Sequence, residues 1–430
     1  MKLAYIGGGS TRAAGTMASL VHQGENFDGS EVVLIDLDQE RLALIQEIAT
    51  RRVSSRGLDI ATTATTDRLA GLEGCDAVLS SYRPGGFEAR VLDERIPLSY
   101  DVIGQETQGP GGFFMALRSI TAMQSILADI EKVCPKAMIF NYTNPVNIVS
   151  QAVTDHSDVS IVSFCEGPIE YPRQLVEAVG LDPTKLDVAR VGLNHASWSV
   201  HHEYDGAPLI PILRDIWQSG RHDLNLADKT RRMLQLAATL DAVPNEYFQY
   251  YYFEREILAQ YKAKATTRAE DILAEVPSYW AHYEEQAKSD SPELDPKRSR
   301  GGIHELELAL DCMDAVFNDR GEVMTVNVTN NGSVPDFPDS LVVETLGRCS
   351  AGGVTPEPMP GLPPHLLGLV ESLGYYQQAT ADAAWSGGHR EATQALASHP
   401  LVRSIDVAER MYAEMAVAHR QHLPDRLVPG

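Results

Sequence analysis

Positive charge is scarce in this chain. Lys and Arg total 36 against 59 Asp and Glu, and the formal charge of -23 is spread along the sequence rather than gathered in a tail. Such a field disfavours nucleic acid and anionic membrane surfaces as partners, and it admits an anionic small substrate only where arginines cluster locally. Cysteine is sparse too. Cys75, Cys134, Cys165, Cys312 and Cys349 are an odd number without a close CxxC pair, which excludes a disulfide framework or a four-sulfur zinc site and fits a reducing compartment. No apolar stretch approaches the roughly 20 residues needed to span a bilayer. The opening MKLAYIGGGS has an apolar run too short for a signal-peptide core and no cleavage pattern, so a cytoplasmic protein is expected. Internal repeats and low-complexity tracts are absent as well.

What the chain does have is enough apolar sequence, 43% of 430 residues, to bury the cores of about two domains. From residue 2 to about 195, β-rich apolar runs alternate with helical stretches. The runs are KLAYI (2–6), EVVLIDL (31–37), DAVLSS (76–81), AMIFNY (137–142) and VSIVSF (159–164). Helices are expected near 10–24, 38–54, 112–133, 145–155 and 169–179. This alternation predicts an α/β fold with a Rossmann-type doubly wound sheet over residues 1–195. From 196 to 430 long helical segments, a strand-like EVMTVNVTNNGSV (322–334) and a late helical run (364–420) predict a mixed α+β domain. QAKSDSPELDPKRSRGG (286–302) between them reads as a mobile loop.

The first strand runs into IGGGSTRAAG, and about 26 residues past the glycines a second strand ends in LIDLD. Glycines at a strand-to-helix turn let backbone N–H groups approach a pyrophosphate, and an acidic residue closing the next strand can bind both ribose hydroxyls. Gly7, Gly8, Gly9, Ser10 and Asp36 fit those roles. Arg12 occupies the place of the third glycine, and a tight turn without cofactor is the alternative. Asp36 favours NAD; Arg12 leaves NADP open.

Cys165 follows an apolar strand, and His195 closes another strand-like run 30 residues later. The two could meet at the carboxyl edge of the sheet, where their soft and borderline donor atoms would hold a metal with open positions for substrate oxygens. Taken singly, each is more often an ordinary core residue.

The chain also carries RPGGFEARVLDERIPLSYDVIGQETQGPGGFFMALRS (83–119), NYTNPVNIV (141–149), FCEGP (164–168), GLNHASW (192–198), PNEYFQYYYF (244–253) and NVTNNGS (327–333). In this order they resemble glycoside hydrolase family 4, the NAD- and metal-dependent glycosidases, and within it the 6-phospho-β-glucosidases. The resemblance covers nearly the whole chain. It implies a fold related to lactate and malate dehydrogenases, with a catalytic and oligomerisation second domain and a homodimer or homotetramer. It also implies that Cys165 and His195 bind the metal, usually Mn2+, and that Tyr247, the first tyrosine of PNEYFQYYYF, is the general base. A phenol needs a nearby cation to act so. Arg83 joins the cofactor-binding set, Arg90, Asn144 and Arg268 fall on positions of substrate contact, and Gln105 and Glu106 shape the same pocket. Asn144 could instead cap the following helix, and the arginines could be ordinary surface residues.

One residue departs from the pattern. After the metal cysteine the phospho-β group carries Asn, a phospho-α group Asp and the non-phosphorylated α-glycosidases His; here it is Glu166. A carboxyl there could protonate a leaving oxygen or bind sugar hydroxyls. The implied reaction is oxidation of a 6-phosphorylated sugar at C3 by NAD+, C2 deprotonation, elimination of the aglycone, water addition and reduction, without net redox change. Two other classes suit part of the sequence: a 2-hydroxyacid dehydrogenase, which would not need Cys165, His195 or Tyr247, and a silent nucleotide-sensing protein.

Overall fold

The computed structural model describes residues 1–220, 224–300 and 306–430. Its first half runs β1 (Lys2–Ile6), α1 (Ala13–His22), β2 (Ser30–Ile35), α2 (Gln39–Ser55), β3 (Ile60–Thr65), α3 (Arg68–Leu72) and β4 (Ala77–Ser80), then α4 (Gly86–Ser99), α5 (Gly109–Val133), β5 (Met138–Asn141), α6 (Val146–His156), β6 (Ile161–Ser163) and α7 (Gly167–Ala178). The five apolar runs read as strands all form strands. The second stops at Ile35 because the Asp36 carboxylate turns to accept the Gly9 amide. Three elements escape the sequence pattern, one of them the five-residue α3. β3, IATTAT, is an edge strand with three threonines and little apolar character. α4 buries Arg90, Asp93 and Glu94, which inverts the amphipathic signal of a surface helix.

The second half opens with a hairpin, β7 (Leu186–Leu193) and β8 (Ala196–Tyr204), followed by β9 (Ala207–Pro208), α8 (Leu209–Gln218), α9 (Asp228–Leu240), α10 (Gln249–Tyr252), α11 (Glu254–Ala263), α12 (Arg268–Gln286) and α13 (Glu307–Phe317). β10 (Glu322–Thr329), β11 (Val342–Ser350) and β12 (Gly353–Pro356) precede α14 (Pro364–Trp385), α15 (His389–Ala397) and α16 (Ile405–Ala418). The late helical run is thus three helices, interrupted at Gly387–Gly388 and near Pro400. After Gln286 closes α12, the 286–302 stretch is loop from Ala287 to Arg300, tied down by Arg51 and Arg52 to the carbonyls of Ser289 and Pro292 and by Arg298 to Glu285; its residues 301 and 302 lie outside the described residues.

The sheet order is β3-β2-β1-β4-β5-β6-β10-β11-β7-β8-β9, with β12 beside β11. The first six strands are parallel in the doubly wound order. β10 then joins β6 antiparallel through Asn327 and Ser163, and β11 joins β7 through Glu344 and Gly192. The sheet therefore passes from one half into the other, and the boundary expected at 195/196 falls on the β7–β8 turn. One core cluster packs α1, α2 and α13 on one face; α5, α6, α14 and α16 cover the other.

The expectation that no stretch reaches membrane length needs correction. α5 is long and apolar enough to cross a bilayer by length and composition. Its apolar residues are interrupted by Ser119, Thr121 and Gln124, so they do not read as a run. A helix flanked by others is apolar nearly all round; here 67% of the apolar window is buried, with Phe113 and Phe114 against Tyr412.

Candidate active site

The carboxyl ends of β1, β2, β4, β5 and β6 converge on one edge of the sheet, where α/β sites form. Past β1 the chain turns at Gly7 with φ +98°, and a Cβ there would lie 2.1 Å from the Ser81 carbonyl oxygen. Gly7 and Gly8 donate to the Ile35 carbonyl at 2.9 and 3.1 Å, and a Cβ on Gly8 would strike Leu34. These two glycines bring the loop onto the sheet. Gly9 donates to Asp36 Oδ2 at 2.9 Å, and Leu37 N donates to its Oδ1 at 2.7 Å; both oxygens can accept more. Ser10 Oγ is buried without a protein partner. From α12, Tyr283 donates to the Thr11 carbonyl at 2.7 Å and so pins the loop from the second half of the chain.

A cavity of about 470 Å³ opens here, its lining including Gly7, Gly9, Ser10, Asp36, Arg83, Asn144 and Arg300. Its size is that of small-molecule and cofactor sites. At the Asp36 end the Arg41 guanidinium lies 4.9 Å over the Trp280 ring. The tight glycine turn, the unpartnered Ser10 hydroxyl and the acidic strand end suit a dinucleotide.

At the other end, guanidiniums gather. Arg83 donates to Glu106, and Arg90 donates to Glu106 at 2.5 Å and to Glu94 at 2.8 Å. Arg300 lies 4.5 Å over the Phe87 ring. Burial would raise the Glu106 carboxyl, but Arg83 and Arg90 outweigh it and hold it well below the carboxylate range. Burial, reinforced by Arg12 and Arg83, pushes Arg300 down to about 9, which still leaves a cation at neutral pH. A locally cationic pocket in an acidic chain is a place for an anion. Asn144 lines the cavity and is not the helix cap, since Pro145 is the N-cap of α6; the Asn144–Pro145 bond is cis. Arg268 is not brought in: it is exposed at the start of α12, although the adjacent Ala269 amide donates to Glu94 at 2.9 Å.

Beside this cavity Cys165, His195 and Tyr247 meet. Cys165 leaves β6 and precedes α7, whose first residue Gly167 admits the close approach of Cys165 and Tyr171. His195 forms the β7–β8 turn with φ +64°, where its neighbour Asn194 is anchored by Glu344 of β11 at 3.1 Å. Cys165 Sγ and His195 Nε2 face each other at 3.4 Å. The PNEYF segment is stitched to β8: Asn245 N donates to the Ser197 carbonyl at 3.0 Å, and the Asn245 side chain accepts from Tyr247 N at 3.1 Å. That seats the Tyr247 ring on the His195 ring, 3.9 Å between centroids and 16° from parallel.

Burial lowers the His195 imidazole to about 4, so it is neutral and offers a lone pair. The Cys165 thiol is raised by burial and then by Glu344 and Glu166, so the thiolate needs a cation to form. Burial likewise raises Tyr247, with Glu246 and Cys165 adding to it and a hydrogen bond from Tyr171 opposing. A soft thiol and a neutral imidazole in contact suit a borderline divalent ion, and among the described residues no third His, Cys, Asp or Glu completes a cluster, so coordination positions remain for substrate oxygens. Glu166 is the N-cap residue of α7, with Oε1 accepting from the Tyr142 hydroxyl at 2.5 Å. Tyr142 lines the cavity and so links the two halves of the site. Tyr142, Tyr171, Asn194 and Arg300 drew no notice as single residues, because nothing in their sequence neighbourhoods marks which loops the fold will bring together.

The chain matches the profile of the Family 4 glycosyl hydrolase over residues 2–181 and that of its C-terminal domain over residues 190–402. It belongs to that family. The enzyme is 30% identical to a probable 6-phospho-beta-glucosidase of Bacillus subtilis (strain 168), covering 99% of this chain and 97% of that one. It is 29% identical to a maltose-6'-phosphate glucosidase of the same organism, with 98% and 96% covered. Among solved structures, a 6-phospho-alpha-glucosidase from gut microorganisms in complex with NAD and Mn2+ superposes with a TM-score of 0.86 at 25% identity, covering 98% and 99% of the two chains. A malate dehydrogenase of Plasmodium falciparum shares the fold at a TM-score of 0.58 and 12% identity, over 90% of this chain and 100% of that one.

Proposed function

We propose that this family 4 glycosyl hydrolase cleaves 6-phospho-β-glucosides with bound NAD+ and a divalent ion, Mn2+ by preference. The observation that carries the reading is the Cys165–His195 pair at 3.4 Å with Tyr247 stacked on it, next to a cavity lined by Ser10, Asp36 and Arg83. When bound, NAD+ would accept a hydride from sugar C3, and the ion would polarise the resulting ketone. Gly9, Ser10 and Asp36 would hold the cofactor, and Cys165 and His195 the ion. Tyr247 would take the C2 proton. Its raised pKa keeps the phenol protonated until a cation arrives at Cys165, so base and ion act together. Arg83, Arg90 and Arg300 supply the charge that a 6-phosphate needs, and Asn144 a polar contact for sugar hydroxyls. The phosphate is supported by relatives named for 6-phosphorylated substrates. The β preference is supported by two relatives at 30% named 6-phospho-beta-glucosidase or probable 6-phospho-beta-glucosidase.

The test is a panel of nitrophenyl glucosides in both anomers, with and without 6-phosphate, assayed with NAD+ and Mn2+ under reducing conditions and repeated in deuterated water. Nitrophenol release from the 6-phospho-β-glucoside, with deuterium at C2 and no accumulation of NADH, is expected. Cleavage confined to the α anomers would move the specificity to that side. Stoichiometric NADH from a hydroxy acid without glycoside cleavage would overturn the reading.

A further inference from the structure

His195 offers Nε2 to Cys165, and its other nitrogen, Nδ1, lies 2.7 Å from Thr107 Oγ1. Which nitrogen carries the proton is decided by counting hydrogens around that hydroxyl. Gln105 Oε1 accepts from Thr107 N at 2.8 Å, so the atom there is an acceptor, and it lies 3.1 Å from Thr107 Oγ1. On the other side, Gln108 Oε1 accepts from the Tyr251 hydroxyl at 2.5 Å, which turns the Gln108 amide nitrogen toward Thr107 Oγ1 at 3.4 Å. A hydroxyl has one proton to donate and two lone pairs. Its proton goes to Gln105, because that contact has no other hydrogen to occupy it. The lone pairs then face Gln108 and His195, so His195 must be protonated at Nδ1 and bare at Nε2. The loop is held in place by the start of α5: a Cβ on Gly112 would lie 2.3 Å from the Thr107 carbonyl carbon, and one on Gly111 would lie 2.5 Å from the Gln105 carbonyl oxygen.

We infer that Thr107, oriented by Gln105, is a positioning residue that fixes the Nδ1–H tautomer of His195 and thereby directs the Nε2 lone pair to the divalent ion shared with Cys165. A neighbour that sets the tautomer of a ligating histidine typically contributes about 10- to 100-fold to metal affinity. The inference rests on the proposed Mn2+ site.

Mn2+ binding to the NAD+-loaded enzyme is read from the electron paramagnetic resonance signal of the free ion, for wild type, Thr107→Val and Thr107→Ser, with NAD+ affinity followed by fluorescence. Valine keeps the shape and loses the hydroxyl; serine keeps the hydroxyl and loses the methyl. Thr107→Val should bind Mn2+ about 10- to 100-fold more weakly at unchanged NAD+ affinity, and Thr107→Ser should stay within about 3-fold of wild type. Equal Mn2+ affinity in wild type and Thr107→Val, or an equal loss in both variants, overturns the inference. Absence of Mn2+ binding in wild type instead removes the metal reading beneath it. Should Thr107→Val not fold, 15N-histidine spectra of the NAD+-loaded wild type decide: the histidine whose signal broadens on adding Mn2+ must be protonated at Nδ1, and protonation at Nε2 overturns the assignment.

Discussion

Glu166 sits between two chemistries. Its Oε1 accepts a 2.5 Å hydrogen bond from Tyr142, a cavity-lining residue, while its backbone follows the Cys165 thiol directly. A carboxylate already accepting from a phenol is arranged to receive sugar hydroxyls rather than to donate a proton to a departing oxygen. Glu166→Gln is therefore expected to slow aryl and alkyl glycosides to a similar extent, because both lose the same contact. Only alkyl leaving groups need protonation, so a loss ten-fold greater on them, about 1.4 kcal/mol of differential barrier, would assign it the acid role instead. At this scale Cys165 and His195 were readable as a pair at two strand ends, and Tyr247 only through the family resemblance. Cys165, His195 and Tyr247 do meet, at 3.4 and 3.9 Å. Thr107 was not readable, because a threonine acquires a role only from its hydrogen-bond partners, and His195 is brought to it from the distant β7–β8 turn. Arg268, drawn in by resemblance alone, lies exposed at the start of its helix.

The elements were legible wherever apolar periodicity coincided with burial, as in β1, β2, β4, β5 and β6. α4 was not, since it turns charge inward. Its Asp93 takes both Arg118 nitrogens of α5 at 2.9 and 2.6 Å and faces His419, just past α16, at 2.9 Å, all but fully buried. Here three helices are joined by a charge network as well as by apolar contact such as Phe114 against Tyr412. Removing one partner from a buried pair leaves an uncompensated charge, so Arg118→Met is expected to cost roughly 3–5 kcal/mol in urea unfolding; a change below about 1 kcal/mol would mean that His419 or water satisfies Asp93 unaided. Burial alone would raise the Asp93 carboxyl, but Arg118 and His419 more than reverse this and hold it low. A depressed folded pKa contributes stability that is present above the unfolded value near about 3.9 and lost as pH falls through the folded value. Wild-type stability should accordingly drop below about pH 4, and the drop should be shallower in Arg118→Met.

Across the whole molecule, the mixed strands β10, β11 and β7 extend the parallel sheet, so His195 and the glycine loop after β1 ride on one continuous sheet. The composition indicated an acidic chain that admits an anion only where arginines cluster, and the arginines around Glu106 form such a cluster, which Arg300 joins in the folded chain. The two fields differ in range. The net charge of -23 acts over the surface, whereas Arg83, Arg90 and Arg300 act at contact distance in a largely buried pocket. Salt screens the first and leaves most of the second, since the Debye length falls from about 30 Å at 0.01 M to about 8 Å at 0.15 M. A 6-phosphorylated substrate approaching at low ionic strength is repelled by the acidic surface before it reaches the cluster. Raising salt across that range is therefore expected to lower KM for a 6-phospho-β-glucoside by about two-fold while leaving kcat unchanged, because the barrier lies in encounter and not in chemistry. Steady-state kinetics at several salt concentrations and fixed Mn2+ and NAD+ measure this directly. A KM that climbs with salt would instead mean that the arginine cluster projects its field beyond the pocket mouth and steers the phosphate in.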